Sequence, residues 1–225
     1  MDQSTYEIHE ARPQRNAAPL QAKTEGQLKL IRAIKESDQV IVTGPAGTGK
    51  SFIPAAMAAD YLAQGQIEKI VLIRPMVSVG RTMGFLPGTQ DEKLAPWMIP
   101  LTEPLQERLG KGYFEYCIKT GKIEMAPLES MRGRTFHDAM VILDEAQNAS
   151  LHELKLLLTR MGRGKLIIDG DVGQTDLHDR SGLRDIVRLA DDHDIDCRIV
   201  TLGLEDVVRS GVVKQWLMAF YREGI

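Results

Sequence analysis

The chain has little of several features that define whole classes of protein. Cysteine occurs only as Cys117 and Cys197 in 225 residues, which is too few for a disulfide framework and lacks the short spacing of a zinc site. No run of about 18 apolar residues is present and the N-terminus has no apolar segment, so we expect a cytoplasmic protein that is neither secreted nor membrane-spanning. Lys and Arg number 28 against 31 Asp and Glu, a net charge of −3, so any nucleic-acid binding must come from a local patch.

Short apolar runs alternate with helical patterns along the rest of the chain. The runs that are typical of strands buried on both faces of a sheet are 40–42, 70–73, 140–143, 166–168 and 199–200. Helical periodicity covers 24 to about 37, 55–63, 151–160 and 183–190. This alternation predicts an α/β fold with a parallel sheet. We expect a single domain over 21–225, preceded by a flexible leader over 1–20.

The segment 75–113 interrupts this alternation between the second and third apolar runs. It contains five prolines and five glycines. Irregular inserts of this kind in compact domains are usually functional, so we predict a functional insert without regular structure.

The most specific motif is the segment 44–51, GPAGTGKS, which fits G-x-x-x-x-G-K-[ST] between an apolar run and a helix. Its glycines allow successive backbone N–H groups to surround an anion, and the helix N-terminus adds positive partial charge. Lys50 is predicted to reach the β- and γ-phosphates, and Ser51 to offer its hydroxyl to Mg²⁺. The residues predicted to bind the nucleotide phosphates are Gly44, Pro45, Ala46, Gly47, Thr48, Gly49, Lys50 and Ser51.

Two adjacent acids, Asp144 and Glu145, follow the apolar run 140–143. Ligands in open α/β sheets bind at the carboxyl ends of the strands, where both acids are expected. Asp144 is suited to hold Mg²⁺, and Glu145 to polarise a water for attack on the γ-phosphate. A kinase has to exclude water, so this pair favours hydrolysis over phosphoryl transfer.

Two glutamines are further candidates. Gln174 follows the run 166–168 and is predicted to sense the γ-phosphate, although an ordinary polar turn explains the same residues equally well. Gln27 lies upstream of the phosphate loop, and a glutamine amide can pair with adenine, although surface helix residues look the same in sequence.

Together these residues resemble the PhoH-like family of P-loop ATPases over 24 to about 215. The segments that carry the resemblance include TEGQ at 24–27, the phosphate loop, GFLPG at 84–88, MRGRT at 131–135, ILDEAQN at 142–148, GD at 170–171 with Gln174, and DVVR at 206–209. The resemblance implies a P-loop NTPase with a RecA-like parallel sheet and helices on both faces. It also implies binding and hydrolysis of ATP with Mg²⁺, homo-oligomeric rings such as hexamers, and work on RNA.

Some positions depart from the family pattern. Ser51 stands where threonine is more usual and keeps the hydroxyl, while 52–54 and Asp169 differ from the common residues. We expect no nucleic-acid-binding or nuclease domain beyond Ile225, and the resemblance then implies a minimal bacterial or phage form.

Arginines are the remaining candidates. Motors of this type use two cores, with an arginine from the second core acting on the transferring phosphoryl group, so a second subunit is expected to supply it here. Arg209 is the candidate finger, with a surface salt bridge as the alternative. The candidates for gripping nucleic-acid phosphates are Arg81, Arg132 and Arg134.

The sequence therefore predicts an Mg²⁺-dependent ATPase in which Lys50, Ser51 and Asp144 hold the nucleotide and metal and Glu145 activates water. We expect it to couple hydrolysis to binding or remodelling of single-stranded RNA or DNA as a homo-oligomer. The alternative is an ATP-dependent assembly switch that acts on a protein partner without nucleic acid.

Overall fold

The computed structural model describes residues 18–76, 90–173 and 181–223, with side chains throughout except at 90–93 and at Tyr221. Three sequence predictions lie outside these ranges. They are the flexible leader, apart from its last three residues, and the candidate roles of Arg81 and Gln174.

Six strands and seven α-helices make up the described part of the chain. The strands are β1 Gln39–Thr43, β2 Lys69–Arg74, β3 Ile123–Pro127, β4 Ala139–Leu143, β5 Gly164–Gly170 and β6 Arg198–Thr201. The helices are α1 Glu25–Glu36, α2 Phe52–Ala63, α3 Gln90–Leu109, α4 Lys111–Lys119, α5 Leu151–Leu158, α6 Gly182–Asp192 and α7 Gly211–Glu223.

The strands form one parallel sheet in the order β3-β2-β4-β5-β1-β6. The predicted α/β fold with a parallel sheet is confirmed, and all five predicted strands are present. The strand that sequence reasoning missed is β3, which lies at the edge, is only partly buried and ends in Pro127. In the sheet order β5 separates β1 from β4, so the ends of these three strands lie side by side.

Alternating side chains of each strand enter two separate cores, one on each face of the sheet. Met140 and Ile142 of β4 pack in the core that α1, α2, α3 and α4 cover. Val141 and Leu143 pack in the core that α5 and α6 cover. This is the two-residue period of a strand buried on both faces, and it confirms the prediction of helices on both sides.

The predicted irregular insert is wrong for the part that the structure describes. Residues 90–109 form α3, a helix of 20 residues that contains Pro96, Pro100 and Pro104. The helix forms despite its prolines because one of its faces is apolar and fully buried against α2 and the sheet, and this burial outweighs the lost backbone hydrogen bonds. The residues of that face are Leu94, Met98, Leu101, Leu105 and Leu109.

Neither α3 nor another helix in the described ranges has the length and apolar character needed to cross a bilayer.

Side-chain caps fix the starts of two helices that border the site. The hydroxyl of Thr24 accepts from the backbone N–H of Gln27 at 3.2 Å and starts α1. Ser150 and Glu153 form a reciprocal capping box at the start of α5. Both helices begin within one residue of the sequence prediction.

Candidate nucleotide-binding site

The phosphate loop connects β1 to α2 and is fastened to neighbouring segments on both sides. The N–H of Gly44 donates to the carbonyl of Gly170 at the end of β5, at 3.2 Å, and the N–H of Val208 donates to the carbonyl of Gly47 at 3.0 Å. Within the loop, the hydroxyl of Thr48 donates to the carbonyl of Pro45 at 2.9 Å. The loop is therefore held in shape by the chain itself before any anion binds.

Three side-chain oxygens meet where the phosphate loop enters α2. The hydroxyl of Ser51 lies 3.0 Å from Oδ1 of Asp144 and 3.2 Å from Oδ1 of Asp169. Asp144 follows β4 and Asp169 belongs to β5, so the sheet order brings both carboxylates to the phosphate loop. Hydroxyl and carboxylate oxygens are the ligands that Mg²⁺ prefers, so this set fits the predicted metal.

Asp169 is the more deeply buried of the two carboxylates. Its burial first, and then the neighbouring carboxylate of Asp144, raise the pKa of Asp169 well above its usual value. The shift in pKa reflects two carboxylates held close together around one hydroxyl.

Arg74, the last residue of β2, contacts both of the acids that the sequence singled out. Its guanidinium donates to Oδ2 of Asp144 at 3.2 Å and lies 3.5 Å from Oε1 of Glu145. The same group donates to the carbonyl of Trp97 in α3 at 2.8 Å. Arg74 therefore offsets part of the negative charge of the acid pair and connects the pair to α3.

Glu145 has an unusual backbone and a defined side-chain partner. Its φ of 56° and ψ of 39° are left-handed, which is uncommon for a residue with a β-carbon and often marks a functional position. The amide nitrogen of Gln147 donates to its carboxylate, and the amide oxygen of Gln147 accepts from the N–H of Asp171 at 3.0 Å. Gln147 thus holds Glu145 in place relative to the end of β5.

Gln27 is a buried residue of α1, not the surface helix residue that its sequence context also allowed. Its amide nitrogen donates to the carbonyl of Thr48 at 2.9 Å, and its amide oxygen accepts from the N–H of Lys23 at 2.8 Å. An amide has two donor hydrogens and two acceptor lone pairs, so one of each remains for another partner. Gln27 is therefore attached to the phosphate loop directly.

Arg209 also lies against the phosphate loop of its own chain. A β-carbon built at Gly47, where φ is +82°, would lie 2.8 Å from Cγ of Arg209. Only glycine permits both this backbone conformation and this close approach. The aliphatic part of the Arg209 side chain therefore packs over the phosphate loop at Gly47.

Two clefts adjoin the phosphate loop, and Arg209 lines both. One, of about 260 Å³, is also lined by Lys23, Gln27, Gly49 and Phe52. The other, of about 330 Å³, is also lined by Lys50, Ser51, Glu103 and Glu107. A larger cleft of about 930 Å³ is lined by none of the phosphate-loop residues. The two smaller clefts together offer space beside the loop on the Gln27 side and on the Lys50 side.

Comparison with known proteins identifies the family. A family model described as PhoH-like protein matches residues 19–221. The chain belongs to the PhoH-like family. Protein PhoH of Escherichia coli (strain K12) is 40% identical over 215 residues, which cover 93% of this chain and 60% of that protein. The PhoH-like protein of Bacillus subtilis (strain 168) is 42% identical over 207 residues, which cover 91% of this chain and 65% of that protein. The chain thus spans less than two thirds of the length of either relative.

A solved structure supports the fold of this PhoH-like chain. The large terminase from a thermophilic bacteriophage superposes with a TM-score of 0.55 at 12% identity, over 90% of this chain and 52% of that chain. The predicted P-loop NTPase fold with a RecA-like sheet is therefore confirmed. At this identity the likeness concerns the fold alone.

The two basic candidates that the structure of this PhoH-like chain describes, Arg132 and Arg134, differ in their surroundings. Arg134 forms a bidentate ion pair with Glu124, with 2.8 Å between one nitrogen and Oε2, and lies over the ring of Phe136. Arg132 is exposed. Both arginines stay predictions as nucleic-acid contacts, and of the two Arg134 has an ion-pair partner within the fold, Glu124, which it shares with Lys69.

Sequence reasoning missed four residues of the site. Asp169 appeared only as a departure from the family pattern, and Arg74 was assigned no role. Gln147 and Asp206 lie inside matched segments but were assigned no role. A signal for Asp169 was available, because a carboxylate that directly follows the buried run 166–168 has to lie at the same sheet edge as Asp144.

Proposed function

We propose that this PhoH-like chain is an Mg²⁺-dependent ATPase that cleaves the bond between the β- and γ-phosphates of ATP. The observation that carries the proposal is the meeting of the phosphate loop, Asp144 and Glu145 at one edge of the sheet. The hydroxyl of Ser51 contacts Asp144 at 3.0 Å, which joins the two motifs directly. A structural turn would not need a hydroxyl, a lysine and two acids in one place.

The phosphate-binding roles follow from position in the loop. The backbone N–H groups of the loop and the ammonium group of Lys50 bind the β- and γ-phosphates. Ser51 and Asp144 hold Mg²⁺, which when bound neutralises the charge that develops on the phosphate oxygens. Gln27 uses its remaining donor and acceptor for adenine, in the cleft that it shares with Arg209.

Glu145 serves as the general base that orients and deprotonates the attacking water. Its contacts with Gln147 and Arg74 support this role, because a base has to be held in one orientation. The proposed role of Gln174 as a sensor of the γ-phosphate stays a prediction.

Arg209 stabilises charge on the transferring phosphoryl group. Its contact with Gly47 favours action within its own subunit over the action across a subunit interface that the sequence suggested. The proposal keeps Arg209 as a catalytic residue and changes the subunit on which it acts.

We further propose that the chain works as a homo-oligomer, such as a ring, on single-stranded RNA or DNA. Support for the oligomer comes from α7, which exposes Val212, Trp216 and Phe220, with Trp216 60% exposed. The rings of Trp216 and Phe220 are stacked at a centroid distance of 5.6 Å, so they form one apolar patch. The functional unit of this proposal is the domain over 21–225, with 1–20 as a flexible leader.

Phosphate release from MgATP, measured with and without single-stranded RNA, tests the proposal. The wild type should hydrolyse ATP, and RNA should raise the rate several-fold. Glu145→Gln should lower the rate by about a hundredfold to ten-thousandfold while ATP still binds, because only the general base is lost. Glu36→Gln, a change to an exposed glutamate at the end of α1, is the matched control and should behave as wild type. Equal rates for wild type and Glu145→Gln would disprove the assignment of the base.

The second candidate function is an ATP-dependent assembly switch that acts on a protein partner. The apolar patch on α7 also favours this function, because it follows Arg209 by only a few residues and can report the state of the nucleotide. Hydrolysis that is unaffected by RNA or DNA, combined with nucleotide-dependent changes in assembly, would favour the switch.

A further inference from the structure

Asp169 is a buried carboxylate that the proposed ATPase mechanism does not use. It is fully buried on β5, between the strand that leads into the phosphate loop and the strand that ends before Asp144. Its Oδ1 lies 3.2 Å from Ser51, but among the described residues its buried Oδ2 has no hydrogen-bond partner. A buried polar atom without a hydrogen-bond partner destabilises the folded state, so such an atom calls for a functional explanation.

The side-chain atoms that meet at Ser51 are oxygens, and the guanidinium of Arg74 pairs with Asp144 and Glu145 but not with Asp169. Oδ1 of Asp144 lies 3.0 Å from the Ser51 hydroxyl, which also contacts Asp169, while Oδ2 of Asp144 accepts from Arg74 at 3.2 Å. Asp144 therefore uses one oxygen for Arg74 and keeps the other with Ser51 and Asp169. The result is a group of one hydroxyl and two carboxylates, in which the described residues supply no cation as a hydrogen-bond partner of Asp169.

We propose that Asp169 is a second carboxylate of the metal site formed by Ser51 and Asp144, which enables the chain to bind a divalent cation before the nucleotide arrives. The inference rests on the proposed function, since it concerns the same site. In the described residues no three Asp, Glu, His or Cys side chains are placed to hold a metal. Two carboxylates and a hydroxyl nevertheless suit Mg²⁺, which keeps several positions for water and phosphate oxygens.

The second carboxylate changes the order in which the ligands bind. A site with a single carboxylate has little affinity for Mg²⁺ alone, because the nucleotide phosphates supply most of the negative charge. Asp169 adds a second carboxylate ligand in a buried location, where the attraction between a carboxylate and a bound cation is weakly screened. Cation binding also gives the buried carboxylate the partner that it lacks.

Titration of the nucleotide-free full chain with Mn²⁺, with free Mn²⁺ measured by electron paramagnetic resonance, tests the inference. The wild type should bind one Mn²⁺, and Mg²⁺ should displace it. Asp169→Asn should weaken Mn²⁺ binding by about tenfold or more, as loss of a metal ligand or its support does. Asp60→Asn, a change to an acid of α2 that pairs with Arg108, is the control and should bind as wild type.

Thermal unfolding gives a second readout that needs no activity. Mg²⁺ should raise the Tm of the nucleotide-free wild type, because a ligand that binds only the folded state stabilises it. Asp169→Asn should have a higher Tm than wild type without metal, since repulsion between the carboxylates is removed, and a given concentration of Mg²⁺ should raise its Tm by less than that of wild type. Asp169→Thr, which suits a strand, serves if the Asn variant does not fold.

The outcomes separate this inference from the proposed function. If the wild type binds no Mn²⁺ without nucleotide, or if Asp169→Asn binds it as tightly as wild type, the inference is overturned even where MgATP binds through Lys50 and Asp144. If Mn²⁺ binds through Asp169 but ATP does not bind at all, the inference holds and the proposed ATPase function fails.

Discussion

The hydroxyl of Thr24 donates a hydrogen bond of 2.5 Å to Oδ1 of Asp206, 182 residues later in the chain. The same buried carboxylate accepts from the N–H of Gly26 at 3.1 Å and from the N–H of Gly203 at 2.9 Å. Asp206 thus joins the start of α1, which carries Gln27, to the segment that carries Arg209. A single carboxylate therefore fixes two walls of the cleft beside the phosphate loop.

Replacement of this carboxylate should loosen both walls at once. Asp206→Ala removes three hydrogen bonds to a charged acceptor, and we expect it to lower the free energy of unfolding by about 2 to 3 kcal/mol. It should also weaken ATP binding by about tenfold, because Gln27 and Arg209 lose their common support. Urea unfolding and titration with a fluorescent ATP analogue measure the two effects.

The neighbouring Glu205 supplies the control for this change, because it is exposed and one residue away. Glu205→Ala should leave both quantities close to wild type. A loss of stability in Asp206→Ala with unchanged ATP affinity would contradict a role of Asp206 in shaping the cleft.

Gly47→Ala tests the close approach of Arg209. Alanine at this position meets both a φ of +82° and Cγ of Arg209 at 2.8 Å. Gly65→Ala is a matched control, because its φ is +70° but nothing lies within 4 Å of the added carbon. Both variants should lose about 1 to 2 kcal/mol of stability from the backbone, and only Gly47→Ala should also lose ATP affinity. If the two variants bind ATP equally, the contact with Arg209 has no part in nucleotide binding.

The ion pairs of Glu124 make part of the stability depend on pH. Hydrogen bonding from Arg134, aided by Lys69, lowers the pKa of Glu124 from 4.5 to about 2 despite its partial burial. A carboxyl whose pKa is lowered by folding stabilises the protein above its unfolded pKa and loses that effect as the pH falls through the folded value. The difference in unfolding free energy between wild type and Glu124→Gln should therefore be constant above about pH 5 and shrink between about pH 4.5 and 2.

Urea unfolding of both proteins at a series of pH values, down to the lowest at which they fold, measures this difference. If the difference in unfolding free energy between wild type and Glu124→Gln grew as the pH fell, the ion pair of Glu124 with Arg134 would not be the cause of the lowered pKa.

Arg132→Ala and Arg134→Ala should have different effects on RNA binding and on protein stability. Arg132→Ala should weaken binding of single-stranded RNA and reduce the salt dependence by about 0.7 in log–log slope, with unfolding free energy unchanged to within about 0.5 kcal/mol. Arg134→Ala should mainly lower stability, because it leaves Glu124 without its bidentate partner. Filter binding at several salt concentrations and urea unfolding distinguish the two, and equal effects on RNA affinity would show that Arg134 also contacts the nucleic acid.

Sequence reasoning found those parts of the fold and site that depend on local pattern. The strands buried on both faces were found because their apolar runs are continuous, and the phosphate loop because its glycines, Lys50 and Ser51 are adjacent in sequence. It missed β3, whose residues are only half-buried, and α3, whose prolines suggested an irregular segment. In α3 the burial of Leu101 and Leu105 in the core that α3 shares with α2 and the sheet outweighed local preference.

The sequence by itself determined the chemistry that is available: a phosphate loop, an acid pair after a buried strand, and glutamines and arginines nearby. Only the tertiary structure decided which of these groups meet. The sheet order places β5 between β1 and β4, and this makes Asp169 a neighbour of Ser51 and Asp144. Likewise the contact of Arg209 with Gly47 depends on where the chain returns after β6. Such meetings join residues far apart in sequence, so they are fixed by packing and strand order and not by any local pattern.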